Sequence, residues 1–256
     1  MLRTRECIKI DSIDKKNALP LYYQLKIILR EKVESGEWKP HDRIPSELEL
    51  TEKFDISRAT ARRALSELTI EGLFYREQGR GTFVSPPKIV QGLTRFYSFS
   101  EDMRAKGLDP YSSVLSIREC FCSSSVRNRL LLAEGARVTE IRRLRLAGNE
   151  PIILETSWVP VEICPGLAEK DITETPLYEV MVRQYGVWLN RAEEYFEPVL
   201  TDEFEANLLT VPAGSPALLL SRLAYDDQDR PVELAKAIVR GDRCRYYVNL
   251  PRETED

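Results

Sequence analysis

Histidine is almost missing from this chain of 256 residues: His41 is the only one. Its isolation leaves little material for histidine-based metal centres or for Ser-His and Cys-His nucleophile pairs, and His41 itself reads as a surface-loop residue. Cysteine is sparse too. Cys7, Cys120, Cys122, Cys164 and Cys244 are an odd set in which Cys120 and Cys122 form a lone C-x-C in a predicted strand, without zinc-like spacing. No apolar run approaches the roughly 20 residues needed to cross a bilayer. The opening MLRTRECIKIDSIDKK has charge but lacks the apolar core of a signal peptide. These absences point to a cytoplasmic chain with reduced thiols and no membrane partner. No catalytic residue, metal ligand or cofactor is assigned.

What the sequence does have is ordinary globular material, 43% hydrophobic and 30% charged, enough for two domains with separate cores. The net charge of −4 argues against a surface coated in basic residues for non-specific nucleic-acid binding. Its distribution is uneven. Residues 1–86 hold 16 basic and 14 acidic residues, against 21 and 27 in residues 87–256, so the first segment suits a polyanion better.

In residues 20–35, Leu21, Leu25, Ile28, Leu29 and Val33 fall on one helical stripe, between Pro20 near the start and Gly36 at the end. Ser46-x-x-Glu49 fits a capping box that starts a short helix running to about Phe54, with Asp55-Ile56 as the turn. Ser57 can cap a third helix. In it Ala61, Ala64, Leu65 and Leu68 face inward, leaving Arg58, Thr60, Arg62 and Arg63 on the flanks and outer side. Leu73–Arg76 and Thr82–Val84 then read as strands joined across Glu77-Gln78-Gly79-Arg80-Gly81. Three helices and a hairpin predict an N-terminal winged helix-turn-helix.

A helix fits the major groove, and the residues at its N-terminus are best placed to reach bases and phosphates. Ser57, Arg58, Thr60, Arg62 and Arg63 supply guanidinium and hydroxyl donors there, and Ala59 is small enough to allow close approach. In the hairpin, Gly79 lets the backbone near the sugar-phosphate surface while Gln78 or Arg80 probes the minor groove. Ser46, at the start of the second helix, completes this set of DNA-contact candidates. An isolated charged helix would more often be a solvated face; the ordered run of caps, turn and Gly-Arg-Gly hairpin favours DNA.

Ser85-Pro86-Pro87 interrupts all periodicity and places a linker at 85–90, dividing the chain into 1–84 and 91–256. Beyond it the sequence repeats at an offset of 79: Ser123 matches Asp202, Leu130 matches Leu209, Gly135 matches Gly214, Arg143 matches Arg222 and Leu144 matches Leu223. With one extra turn residue, Pro151 matches Pro231. Each copy reads as a short helix, a turn, a strand, a polar loop and a strand opening on Pro. Two copies predict an α+β domain, an antiparallel sheet with helices on one side. Arg143 and Arg145 alternate with Leu144, so both point to one side of a strand and can converge on a phosphate or carboxylate. Glu155 and Glu233 could accept hydrogen bonds from sugar hydroxyls or an amine. The alternative is that the two arginines make structural pairs with Glu155 and Glu233; a ligand is favoured because burying such charges without one is costly.

Arg43-Ile-Pro-Ser-Glu-Leu-Glu-Leu, then Phe54-Asp-Ile-Ser-Arg-Ala-Thr-Ala-Arg-Arg-Ala-Leu, then Glu71-Gly-Leu-Phe and Gly79-Arg-Gly-Thr-Phe-Val84 closely resemble the GntR family of transcriptional regulators. The second domain resembles that of the HutC-like branch, whose effector domain is called UTRA and has a chorismate-lyase-like fold. This resemblance implies DNA contacts at Ser57, Arg58, Thr60, Arg62 and the hairpin tip around Gly79 and Arg80. It also implies an effector site using Tyr178 as well as Arg143, Arg145, Glu155 and Glu233. Gln91–Met103 resembles the family's opening segment, with Phe99 and Ser100 at the start of a helix whose free N–H groups could hold an anion.

Two departures stand out. Leu48 follows the Pro-Ser-Glu triplet where many relatives carry Arg or Asn. Pro176 and Val239 stand where some sugar-phosphate readers have polar or aromatic residues. The implied protein is a homodimeric repressor on an inverted-repeat operator in double-stranded DNA, controlled by a small anionic metabolite such as a phosphosugar. A non-sugar carboxylate effector, or a lyase-like enzyme on the C-terminal scaffold, are the alternatives.

Overall fold

A computed structural model describes residues 12–93, 99–173 and 175–250. The chain divides between Lys88 and Ile89 into two compact units.

In the first unit, α1 (Leu21–Glu34), α2 (Glu47–Phe54) and α3 (Arg58–Ile70) precede a hairpin of β1 (Phe74–Glu77) and β2 (Gly81–Val84). Local chemistry sets the helix starts. Ser46 Oγ accepts the Glu49 N–H (3.3 Å) while the Glu49 carboxylate accepts the Ser46 N–H (2.7 Å), the reciprocal box that the sequence predicts. Asp55 then turns left-handed (φ 50°) and ends α2. Ser57 Oγ accepts the Thr60 N–H at 3.1 Å and opens α3. The inward faces meet in one core of Leu25, Leu29, Leu50, Ile56, Ala61, Ala64, Leu65 and Leu68, closed by Phe74 and Val84 of the hairpin. Each fully buried leucine there contributes about 2 kcal/mol of transfer free energy. β1 starts one residue later than expected and β2 one residue earlier, with Glu77 opposite Gly81.

Ser85–Lys88 has no regular structure, and β3 (Ile89–Gly92) pairs in parallel with β10 (Cys244–Tyr247). The linker expected at 85–90 therefore overlaps the first two residues of β3. The rest of the second unit runs α4 (Phe99–Ala105), β4 (Pro110–Phe121), α5 (Ser124–Arg129), β5 (Arg137–Ala147), β6 (Glu150–Pro160), and then α6 (Leu177–Tyr185), β7 (Leu189–Leu200), α7 (Glu203–Leu209), β8 (Pro216–Asp226), β9 (Pro231–Arg240). These strands form one antiparallel sheet in the order β4-β5-β6-β9-β8-β7.

The element order α-β-α-β-β thus occurs twice, and finer details recur with it. Ser123 caps α5 and its counterpart Asp202 caps α7. Gly135 (φ 78°) and Gly214 (φ 76°) make the same left-handed turn, which a side chain would strain. The register breaks between Arg145 and Leu146 in one half and between Ala224 and Tyr225 in the other, again 79 residues on. At the junction of the halves Thr156 pairs with Lys236, its own counterpart in the repeat, so an approximate two-fold axis passes between β6 and β9. Helices α5 and α6 cover apolar sheet residues: Val126 and Leu130 pack with Val138, Leu223 and Leu234, and Leu177, Val180 and Met181 with Ile141, Val159 and Val232.

Cys120, Cys122, Cys164 and Cys244 are free thiols, the last two buried, and Cys7 lies outside the described residues. His41 is exposed, its Nδ1 3.1 Å from the Tyr75 hydroxyl. Among the described residues no helix is long and apolar enough to cross a membrane, and no cluster of His, Cys, Asp or Glu is arranged to hold a metal.

Candidate functional site

The N-terminus of α3 presents Ser57, Arg58, Ala59 and Arg62 to solvent, with Thr60 half-buried beside them. The Ser57 and Thr60 hydroxyls are 2.7 Å apart, a pair fixed by the cap. Arg62 Nε lies 3.1 and 3.2 Å from the two Glu47 carboxylate oxygens, and Arg58 Nε lies 3.6 Å from the same carboxylate. Arg63 turns elsewhere: its Nε donates to Glu67 (3.1 Å) and its guanidinium stacks 3.7 Å from the centre of the Tyr22 ring. In the hairpin, Gln78, Gly79 (φ 73°) and Arg80 are exposed, and Arg80 pairs with Glu77. Beside the hairpin an open groove is lined by Ser46, Glu47, Gln78 and Gly79, and by Arg43 and Arg76. Arg43 lies across Gly81, where a Cβ would sit 3.1 Å from its Nε.

In the second unit, β5, β6, β8 and β9 and the starts of α4 and α6 surround a small, partly open cavity. Phe99, Ser100, Arg143, Arg145, Glu155 and Tyr178 all line it. Glu233 is not part of the lining but touches it through Tyr178, whose hydroxyl donates to Glu233 Oε2 at 2.6 Å. A second cavity of about 280 Å³ shares Ser100, Arg143, Arg145 and Pro176 and continues to Arg104, Tyr111 and Ser112.

Glu155 is the hub of the charged wall. Arg143 pairs with it and donates to Ser157 Oγ (3.2 Å); Arg145 donates from Nε (3.1 Å) and Nη2 (2.6 Å). Both arginines therefore meet Glu155, while Glu233 accepts from Tyr178. Burial on its own would raise the Glu155 pKa, but the Arg145 and Arg143 charges outweigh it and hold the carboxyl down at about 2. Desolvation, with Arg145 close by, lowers the pKa of Arg143 below the usual guanidinium value. Burial and the Glu233 charge push the Tyr178 phenol up, so it is a hydrogen-bond donor at neutral pH. Arg143 is only 2% exposed, and its Nε–H is buried without an acceptor. An unmet guanidinium N–H is costly and is the natural place for an oxyanion.

Sequence reading did not assign Arg222, which lines the cavity, donates to Tyr178 Oη (3.2 Å) and pairs with Glu194 at 2.6 Å. The signal was present, because Arg222 is the repeat counterpart of Arg143. Phe99 and Tyr178 are likewise 79 residues apart at the starts of α4 and α6. Gln91 and Tyr246, from the paired strands β3 and β10, also reach the cavity; no periodicity reports a parallel pair about 150 residues apart in sequence. Pro176 and Val239 line the cavity with Ile153, Leu220, Ala235 and Ala237, aliphatic positions interleaved with the charges along the strands.

Residues 21–84 match the profile of bacterial regulatory proteins of the GntR family, and residues 105–245 match the UTRA domain. The chain is 37% identical over 241 residues to the HTH-type transcriptional repressor NagR of Bacillus subtilis, covering 94% of this chain and 99% of that one. It is 32% identical to the histidine utilization repressor of Pseudomonas putida, over 88% of this chain and 90% of the relative. Among solved structures, PhnF from Mycobacterium smegmatis matches with a TM-score of 0.63 at 30% identity, covering 88% of this chain and 99% of that one. The chain accordingly belongs to the GntR family of transcriptional regulators, in the branch that joins a winged helix-turn-helix to a UTRA domain.

Proposed function

We propose that this chain is a homodimeric repressor that binds an inverted-repeat operator through residues 1–84 and releases it when residues 91–256 bind a small anionic metabolite, a phosphosugar being the first candidate. The linker around 85–90 carries the change between them. The relatives support the sign of regulation, since NagR, the histidine utilization repressor and PhnF are all repressors. In this reading the chain is a cytoplasmic regulator whose cavity, among the described residues, is lined by Arg–Glu ion pairs suited to binding.

The observation that carries the effector assignment is the orphaned Arg143 Nε–H beside a carboxylate shared by two guanidiniums. Across the cluster Arg143, Arg145 and Arg222 face Glu155, Glu194 and Glu233, so total charge is balanced. A ligand therefore fits best if it brings an anion for the arginines and hydroxyl or ammonium donors for Glu155, which lines the cavity. A phosphorylated amino sugar has both. The aliphatic lining of Ile153, Leu220, Ala235 and Val239 supports a second reading, a carboxylate with an apolar body.

Thermal-shift screening of phosphosugars, amino sugars and small carboxylates separates the readings. Stabilisation by uncharged compounds alone would refute the anion roles of Arg143 and Arg145. For DNA, Arg58→Ala with Arg62→Ala is expected to abolish sequence-specific binding and leave the unfolding midpoint unchanged; both side chains are more than half exposed. Unaltered specific binding would sink the assignment.

A further inference from the structure

Glu47 is the first residue of α2, next to the Ser46–Glu49 capping box, and it faces α3. Its side chain is largely covered, 21% exposed, whereas the Arg58 and Arg62 side chains are 69% and 61% exposed. The carboxylate accepts from Arg62 Nε with both oxygens and lies within ion-pair distance of Arg58 Nε, at 3.6 Å. Resting on the DNA-binding reading above, we propose that Glu47 is a positioning residue for operator recognition. It holds the inner edges of Arg58 and Arg62 so that their outer edges are presented as a pre-oriented pair of donor forks.

Three physical points support this. Arginine has several rotatable bonds, and fixing them on forming a contact costs conformational entropy, so an arginine already held by a carboxylate loses less on binding. Guanine is read by two parallel N–H donors in a defined plane; the Nε–H bonds to Glu47 restrict that plane for Arg62, while the ion pair keeps Arg58 close beside it. Finally, a negative charge between two arginines weakens their attraction for any phosphate, which disfavours random duplex more than a site that also offers base contacts. Leu48, 57% exposed, adds no third charge at this edge. Glu47 itself sits in the first turn of α2, where the helix dipole favours a carboxylate, so its retention does not depend on the arginines alone.

The test uses the full-length chain and two probes: a duplex enriched by the wild type from a randomised pool, and its scrambled counterpart. Equilibrium binding is measured across a salt series for wild type, Glu47→Gln and Glu47→Asp, after confirming that all three share one thermal unfolding midpoint. Glu47→Gln is expected to bind the scrambled duplex more tightly, with a log K against log salt slope steeper by about 0.9 for each additional phosphate neutralised. Its discrimination between the two probes should fall on the order of tenfold, the scale of one bidentate base contact. Glu47→Asp restores the charge but not the reach, and is expected to recover the wild-type slope without full discrimination.

Equal weakening of Glu47→Gln on both probes would assign Glu47 a purely structural role and overturn the proposal, as would unchanged discrimination. Failure of the wild type to enrich any sequence would overturn the DNA-binding reading itself, and this inference with it.

Discussion

Glu155→Gln is the most informative single perturbation of the second unit. The wild-type carboxyl is held at about 2, against an ordinary glutamate value near 4.3. Because its folded pKa is depressed, Glu155 contributes stability that is fully present above the unfolded value and is lost as pH falls through the folded one, a window of roughly pH 4.5 to 2. A shift of more than two units corresponds to about 3 kcal/mol at neutral pH. Gln keeps the shape but leaves Arg143 and Arg145 facing a neutral amide, and breaking a buried pair from one side costs about 3–5 kcal/mol, so both routes agree in scale.

The assay is urea unfolding of the full chain in a Trp38→Phe background. Trp158 and Trp188 are then the remaining tryptophans, and both report on the second unit. The deficit of Glu155→Gln should be about 3 kcal/mol at pH 7 and shrink steadily below pH 4.5. Inorganic phosphate should also recover more stability in the variant than in the wild type, since the guanidiniums no longer have their internal counter-charge. A deficit under about 1 kcal/mol at pH 7, or one independent of pH, would refute the assignment of Glu155 as the electrostatic hub.

Tyr178→Phe removes the donor that satisfies buried Glu233 and is expected to cost about 1–3 kcal/mol, read in the same unfolding assay, together with a weakened thermal shift by the effector. Asp202→Ala breaks a reciprocal cap on α7 and should cost about 1 kcal/mol without changing effector affinity, which titration calorimetry would check. Gly81→Ala forces a side chain into φ 126° against Arg43 Nε; a loss of about 1–3 kcal/mol in the first unit is expected, seen as a lower unfolding midpoint by circular dichroism.

What the sequence made legible follows from the range of the interactions involved. Ser46, Glu49 and Ser57 bond within three residues, so the starts of α2 and α3 were readable as patterns. The offset of 79 located both halves of the sheet because a duplicated element carries its caps and turns with it. By contrast, β3 is four residues long and finds its hydrogen bonds on β10, at the far end of the chain, so nothing local distinguishes it from linker. The bonds from Arg62 to Glu47 and from Arg222 to Glu194 were also unreadable: each joins two elements whose relative rotation only the packed core fixes.

The duplication also explains why the cavity is polarised. The two-fold relation places Arg143 with Arg222 and Phe99 with Tyr178, so the two halves bring matching positions to the cavity. Counted with the extra turn residue, Glu155 and Ser157 correspond to Ala235 and Ala237, and Arg145 corresponds to Ala224. One half kept hydrogen-bonding side chains at these positions while the other has alanine. Small side chains vacate space and remove competing donors, and charged ones fix an orientation. On the proposed effector reading, the polar end of a ligand is expected against β5 and β6, with its body over Ala235 and Ala237. Discrimination among effectors should then lie in the positions where the halves differ, more than in the arginine pair they share.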